Sequence, residues 1–282
     1  MEVILAESAG FCYGVKRALD TVAEAAKAKG KPMFTLGPLI HNPQVVERLE
    51  SQGVRTVKGL EEVPADSVVV MPSHGVPRAV LEQAKASGIE IIDLTCPFVS
   101  KVQELAESLL SEGYQVVVLG DAGHTEVKAI MSRAGEDAVA VSGSEELADY
   151  ALKSRVGILA QTTQTVERYR RVVAEAAALA YEVRAYNTIC NATRDRQSAA
   201  VDVAKVVDVM IVVGGRNSAN TRRLAEICAE TGVSTYHVEV AGEINPEWFA
   251  HAEKVGVTAG ASTPDWIIEE VVWKIKAIPP AK

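Results

Sequence analysis

The chain has 282 residues, 48% apolar and 23% charged, a balance that fits a globular protein and excludes a disordered or fibrous one. Its apolar runs, such as 116–119 and 209–213, are far too short to cross a bilayer, and the N-terminus lacks a basic segment followed by a long apolar core. The formal net charge of -8, with no run of Lys or Arg, argues against nucleic acid as a partner, so a cytoplasmic protein with no membrane partner is expected.

Cys12 stands in "GFCYGV" and is followed by "YGVKRALDTVAEAAKAKG", a helix with Val15, Leu19 and Val22 on one stripe and Gly30 as its stop. "MFTLGPLIHN" reads as a short buried strand, then Gly37, then His41, with the helical "PQVVERLESQG" behind it. "VVVMPSHGVP" is a further strand with His74 just past its end. Cys96 opens a second round: "PFVSKVQELAESLLSEG" is helical, with Pro97 in its first turn and Gly113 at its end. "VVVLGDAGHTE" repeats the strand with Gly120 and His124 and leads into "EVKAIMSRAG", with Glu126 at the helix start; "VGILAQTTQT" ends in Thr162. Cys190 opens the third round with the helical "NATRDRQSAAVDVAKV". "MIVVGGRNSAN" carries Gly214 and Ser218, Asn220 lies at the start of the next helix, and "VGVTAGASTP" ends in Ser262. The tail "STPDWIIEEVVWKIKAI" is a closing helix beginning near Pro264.

The spacings from cysteine to the first polar strand-end residue are 29, 28 and 28. This repeat predicts three α/β lobes of related design with short, mostly parallel sheets: 1–95, closed by the C-terminal helix at 264–282; 96–189; and 190–263. Ligands of parallel sheets bind beyond the carboxyl ends of the strands. Lobes facing a common centre would therefore gather three thiols and the polar residues that follow the strands.

Cys12, Cys96 and Cys190 each fall at a helix start, where the helix dipole favours a thiolate, and Lys16, Arg17, Lys101 and Arg194 follow them closely. Cys228 falls inside a helix and reads as packing. No CxxC occurs, and a reducing compartment disfavours disulfides. Singly, each thiol reads as structural. Jointly they suit zinc with a histidine as fourth ligand, or a [4Fe–4S] cluster with one iron lacking a protein ligand. His41, His74 and His124 read as satisfied polar groups or as pocket residues. Glu126 reads as a first-turn acid complementing the helix dipole or as a proton donor. "NSANT" at 217–221 is an ordinary helix cap or a phosphate cradle; there is no Walker loop.

Together "GFCYGVKRA", "LIHNPQVV", "SHGV", "DLTCPFVSKV", "GHTEV", "AQTTQT", "NTICNATRDRQ", "GGRNSANTRRL" and "GASTPDWII", spanning 10 to 268, resemble the LytB/IspH family of diphosphate reductases. The resemblance implies a trefoil of three pseudo-threefold-related lobes around a central iron–sulfur site. It implies that Cys12, Cys96 and Cys190 hold a [4Fe–4S] cluster whose fourth iron, without a protein ligand, binds the substrate hydroxyl. Glu126 would supply protons with Thr162 and His124 on the proton path. His41, His74, His124, Thr162, Ser218, Asn220 and Ser262 would bind the substrate.

The implied reaction is two-electron reductive dehydroxylation of 4-hydroxy-3-methylbut-2-enyl diphosphate to isopentenyl and dimethylallyl diphosphates, the last step of the non-mevalonate isoprenoid pathway. A ferredoxin or flavodoxin would supply electrons. Where many members of the family read Ser-Ser-Asn, this chain reads Ser218-Ala219-Asn220, so one hydroxyl is missing while the backbone N–H remains. The rival readings are a non-redox [4Fe–4S] hydro-lyase acting on an anionic substrate, a hydrolytic zinc enzyme and an iron–sulfur sensor.

Overall fold

The computed structural model describes residues 1–279. Among them are three four-stranded sheets in which every pairing is parallel. The chain forms two compact units, one of residues 17–40 and 46–190, the other of 1–16, 41–45 and the chain from 191 on.

The larger unit holds two sheets. One contains β2 (Met33–Leu36), β3 (Val54–Val57), β4 (Val68–Met71) and β5 (Glu90–Asp93) in the order β3-β2-β4-β5. The other contains β6 (Gln115–Leu119), β7 (Val139–Val141), β8 (Arg155–Ala160) and β9 (Glu182–Ala185) in the order β7-β6-β8-β9. The smaller unit has β10 (Val209–Val213), β11 (Ser234–Val238), β12 (Lys254–Ala259) and, from the start of the chain, β1 (Glu2–Leu5), ordered β11-β10-β12-β1. The three orders are the same pattern, with β1 in the place of β5 and β9.

The central strands explain themselves. In β6 and β8, Val116, Val118 and Leu159 pack with Val102 and Leu109 of α4 (Pro97–Ser111) and Val127 and Ile130 of α5 (Thr125–Met131). The alternate residues Val117, Leu119 and Ile158 pack on the other face with Val172 and Ala176 of α6 (Val166–Leu179). A strand covered on both faces must be apolar throughout, which is why these runs show no alternation. Edge strands differ: β5 reads EIID, with both its charges exposed, and β9 reads EVRA, with its charges half-buried, and such charges discourage further pairing.

In the smaller unit, Met210 and Val212 pack with Ala200 and Ala204 of α7 (Asn191–Ala204) and Leu224 of α8 (Ala219–Glu230). Val209, Ile211, Val255 and Val257 pack with Ile267, Ile268, Val271 and Ile275 of α9 (Asp265–Lys276). Two expectations are corrected here. The first strand does not belong to a 1–95 lobe: Val3 pairs with Val255 and Leu5 with Val257 of β12. The closing helix likewise packs on the sheet of β1, β10 and β12, because its apolar stripe faces those strands. That helix ends at Lys276, and 280–282, the end of the segment expected to be helical, lie outside the described residues. The remaining helices are α1 (Tyr13–Lys29), α2 (Pro43–Ser51) and α3 (Arg78–Ala86).

Candidate active site

In the larger unit, β6 and β8 are neighbours in register, with Leu119 opposite Ala160, so the residues beyond both strands emerge side by side. Gly120 makes the close approach possible: a Cβ there would lie 2.6 Å from Val127 Cγ2 and 3.0 Å from the Cβ of Gln161. His124 then caps α5, its Nδ1 accepting from the Glu126 N–H at 3.1 Å. An accepting Nδ1 carries no proton, so the neutral ring bears its N–H at Nε2. Glu126, the second residue of the helix, is 3% exposed.

Thr162 meets the Glu126 carboxylate twice. Its N–H donates to Oε1 at 2.7 Å and its hydroxyl to Oε2 at 3.0 Å. Both bonds favour the carboxylate, yet burial outweighs them and pushes the Glu126 carboxyl up to about 7. A carboxyl poised there holds a proton about half the time at neutral pH. When it is protonated, the Thr162 hydroxyl can turn to accept from it, so the pair can pass a proton outward.

His74, beyond β4, is also buried and stands edge-on to His124, with ring centroids 6.5 Å apart at 74°. The loop beyond β6 is tied down by Gln161, which is wholly buried and accepts from the Asp121 N–H at 3.1 Å. The sequence reading missed this residue; a polar side chain at the end of an apolar strand was its only signal.

The three cysteines share one local arrangement. The Cys96 N–H donates to the Ser73 carbonyl at 2.9 Å, the Cys190 N–H to the Thr162 carbonyl at 3.0 Å and the Cys12 N–H to the Ala261 carbonyl at 3.2 Å. Each acceptor lies in a turn closed by an N–H···O bond: Gly75 to Pro72 at 2.9 Å, Gln164 to Gln161 at 3.0 Å and Thr263 to Gly260 at 3.0 Å. These bonds align Ser73, Thr162 and Ala261 as equivalents, and His74, Thr163 and Ser262 as the next set. The sequence repeat aligns Thr162 with His74 and Ser262. In fact Thr162 stands one residue earlier in the turn, and that offset is what turns it towards Glu126.

Cys12, Cys96 and Cys190 are half-buried, each immediately precedes a helix, and none is in a disulfide. Cys228 is buried in α8, where burial pushes its thiol up to about 12, as packing requires. Thiols at helix starts are the soft donors that iron–sulfur clusters and zinc both take, so the donor chemistry fits an iron–sulfur group. Among the described residues no set of three or more His, Cys, Asp or Glu side chains is gathered as a metal centre. Among the nearby cations, Arg17 donates to the Leu94 and Thr95 carbonyls, Lys101 pairs with Glu104 at 3.4 Å and Arg194 bonds Asn191.

In the smaller unit, Ser218 caps α8, its hydroxyl oxygen accepting from the Thr221 N–H at 3.3 Å, which leaves the O–H as a donor. Asn220 is 5% exposed, and neither its Oδ1 nor its Nδ2 has a hydrogen-bond partner. Buried amides are normally satisfied, so this one is built to meet something. His41 precedes Asn42, and it is Asn42 that caps α2, accepting from the Val45 N–H at 3.0 Å. The Ser262 hydroxyl donates to the His41 carbonyl at 3.0 Å, so its oxygen faces any ligand only as an acceptor. Gly215 admits that carbonyl; a Cβ there would lie 2.8 Å from it. Burial and the Arg222 charge hold the His41 ring below its ordinary value, so at pH 7 it is neutral.

The family described as LytB protein matches residues 3–276. A 4-hydroxy-3-methylbut-2-enyl diphosphate reductase of Geobacter metallireducens is 51% identical over 282 residues, 100% of this chain and 99% of its own. A solved structure of (E)-4-hydroxy-3-methyl-but-2-enyl diphosphate reductase, the terminal enzyme of the non-mevalonate pathway, is 45% identical, with a TM-score of 0.71 over 99% of this chain and 100% of that one. The E-1-hydroxy-2-methyl-but-2-enyl-4-diphosphate reductase structure from Plasmodium falciparum is 25% identical, with a TM-score of 0.93 over 99% of this chain and 89% of that one.

Proposed function

The chain belongs to the LytB family, and on that premise we propose how its residues carry the reaction. Its activity is that of the 4-hydroxy-3-methylbut-2-enyl diphosphate reductases. The reaction replaces a C–O bond by a C–H bond: two electrons and two protons enter, one proton leaves with the hydroxyl as water, and isopentenyl or dimethylallyl diphosphate remains.

Cys12, Cys96 and Cys190 would hold a [4Fe–4S] cluster, and Cys228 would not. When bound, the cluster supplies a Lewis-acidic iron without a protein ligand and the route for electrons from a ferredoxin or flavodoxin. We place the reaction in the cytoplasm, where the thiols stay reduced. Among the described residues no helix is long and apolar enough to cross a membrane.

Glu126 is the proton store, and Thr162 orients its carboxyl and passes the proton on. His124, with Nδ1 fixed by the helix cap, donates through Nε2. The diphosphate is held by donors that need no basic surface: the Ser218 hydroxyl, the Asn220 amide, the ring N–H groups of His41, His74 and His124, and the N–H groups at the starts of α2, α5 and α8. Ser262 acts through the His41 backbone and as an acceptor. The observation that carries this reading is the buried Glu126–Thr162 pair, a carboxyl kept protonatable at neutral pH at the carboxyl ends of two neighbouring strands.

The test is iron, acid-labile sulfide and zinc per chain after anaerobic purification, then turnover of the diphosphate with and without reductant. Close to four iron and four sulfide, lost in Cys96→Ser, with turnover only in the presence of reductant, is expected. Zinc in place of iron, or turnover without reductant, overturns the reading.

A further inference from the structure

Arg17 and Arg196 make the same unusual contact in two places. Arg17 Nη2 donates to the carbonyls of Leu94 at 3.0 Å and Thr95 at 2.8 Å, the two residues before Cys96. Arg196 Nη2 donates to the Gly10 carbonyl at 2.7 Å, two residues before Cys12, while Nη1 holds the Ala192 carbonyl at 2.8 Å in the helix that follows Cys190. Arg196 is only 4% exposed.

Neither contact is an ordinary salt bridge. A guanidinium stays charged at any pH the protein meets, and burying one against carbonyl oxygens sacrifices hydration. Arg17 Nε is buried with no partner, a further cost to folding that stability alone does not explain. The third cysteine is held differently. Before Cys190, the Thr188 hydroxyl accepts from the Ala160 N–H at 2.8 Å and donates to the Ala160 carbonyl at 2.6 Å. Two cysteine loops are thus pinned by fixed cations and one by a neutral hydroxyl.

We propose that Arg17 and Arg196 are positioning residues for the iron–sulfur group: they fix the loops of Cys96 and Cys12 and place permanent positive charge beside two of its three ligands. This rests on the reading that these cysteines hold the cluster. Reduction adds negative charge, so the cations favour the reduced form and raise the potential, whereas Thr188 holds its loop with no such effect. A planar fork bonding two carbonyls also fixes the Cys96 loop more tightly than an ammonium could.

The experiment uses the full chain purified anaerobically, as wild type and as Arg17→Gln, Arg17→Lys, Arg196→Gln and Thr188→Val. Three quantities are measured: the midpoint potential, the rate of iron loss to a chelator and hydrogen exchange at the amides of Cys12, Cys96 and Cys190. The glutamine variants should lose iron at least fivefold faster and shift the oxidised-to-reduced ratio about tenfold towards oxidised at fixed potential, about 59 mV lower for a one-electron couple. Arg17→Gln should loosen the Cys96 amide, and Arg196→Gln the Cys12 amide. Arg17→Lys should keep the potential but lose iron faster, and Thr188→Val should do likewise. If Arg17→Gln does not fold, the lysine variant and Arg196→Gln still decide. Wild-type potential, iron loss and exchange in the glutamine variants would overturn the proposal. A wild type without iron would instead overturn the cysteine assignment, and the exchange rates would then decide whether the arginines hold the loops at all.

Discussion

Thr162 binds the Glu126 carboxylate through both its amide and its hydroxyl, and still leaves that carboxyl protonatable at neutral pH. The sign has a consequence for folding. A carboxyl raised from 4.5 to about 7 binds more protons folded than unfolded between those values, so wild-type stability falls as pH climbs through that window. The full effect is about 3 kcal/mol at about 1.4 kcal/mol per pH unit. Glu126→Gln removes it. The variant should lose 10²- to 10⁴-fold in turnover, as expected for a missing acid, and should show a flatter stability profile from pH 4.5 to 7. Denaturant melts of both proteins across that range check the second point; parallel profiles would show that Glu126 is charged when folded.

The two contacts of Thr162 can be separated. Thr162→Val keeps the backbone N–H and removes the hydroxyl, a bond that pulls the Glu126 carboxyl down. Its removal should raise that carboxyl further. An enzyme that needs Glu126 protonated then keeps its rate to higher pH, while the maximum drops about 10- to 100-fold for want of the relay. Thr162→Ser should restore both. The pH–rate profiles of the three proteins test this; an alkaline limb that stays in place in Thr162→Val refutes the hydroxyl's hold on the Glu126 carboxyl, and an unchanged maximum refutes the relay.

His41 sets a second pH dependence. A general weakening of substrate binding at high pH is the simple expectation for a histidine-lined site. Burial and Arg222 hold this ring below 6.5, so it gains charge only on the acid side. His41 should therefore contribute no change in affinity from pH 7 to 9 and strengthen binding only on the acid side of 6.5. The diphosphate titrates there too, so the quantity to compare is wild type against His41→Asn by calorimetry. A difference between them that changes between pH 7 and 9 would place the His41 titration too high for this account.

Much of this arrangement was legible in the chain. Apolar runs ending at Gly37, Gly120 and Gly214, and cysteines 28 or 29 residues before His41, His124 and Ser218, exposed three similar lobes. What stayed hidden depends on strand order and backbone bonds. Pairing of β1 with β12 is a contact between opposite ends of the chain, and no local pattern encodes it. The one-residue offset of Thr162 is visible only once the Cys190 N–H is seen to end on its carbonyl. Arg17 and Arg194 looked alike in sequence, both close behind a cysteine, but only Arg17 reaches carbonyls 77 and 78 residues away.

On the proposed reading, Asn220 trades stability for binding. Its amide is buried and unbonded, and such a group costs about 1–3 kcal/mol. Asn220→Ala should therefore melt at the wild-type temperature or above it, since alanine also suits a helix, while KM for the diphosphate rises about tenfold or more. The neighbouring departure from the family pattern behaves differently. Ala219→Ser restores a hydroxyl where a backbone N–H already serves, and should change KM less than threefold, within about 0.7 kcal/mol. A large loss of stability in Asn220→Ala would mean that the amide is satisfied in the folded protein.

The four cysteines should divide three to one. Cys228 is fully buried against Ala200, Ala204, Met210 and Leu224, and burial pushes its thiol so high that no thiolate is present to compete for iron. Cys228→Ala should keep the wild-type iron and sulfide content and lose only packing, about 1–2 kcal/mol for a small cavity. Cys12→Ser, Cys96→Ser and Cys190→Ser place a near-isosteric hydroxyl, a good helix-capping group, at half-buried positions, so they should fold normally while losing the cluster. Iron content set beside the melting curve for each variant makes the contrast quantitative. Loss of iron in Cys228→Ala with an unchanged melt, or retention of it in any of the three serine variants, would mean that the division drawn from helix starts and burial is wrong.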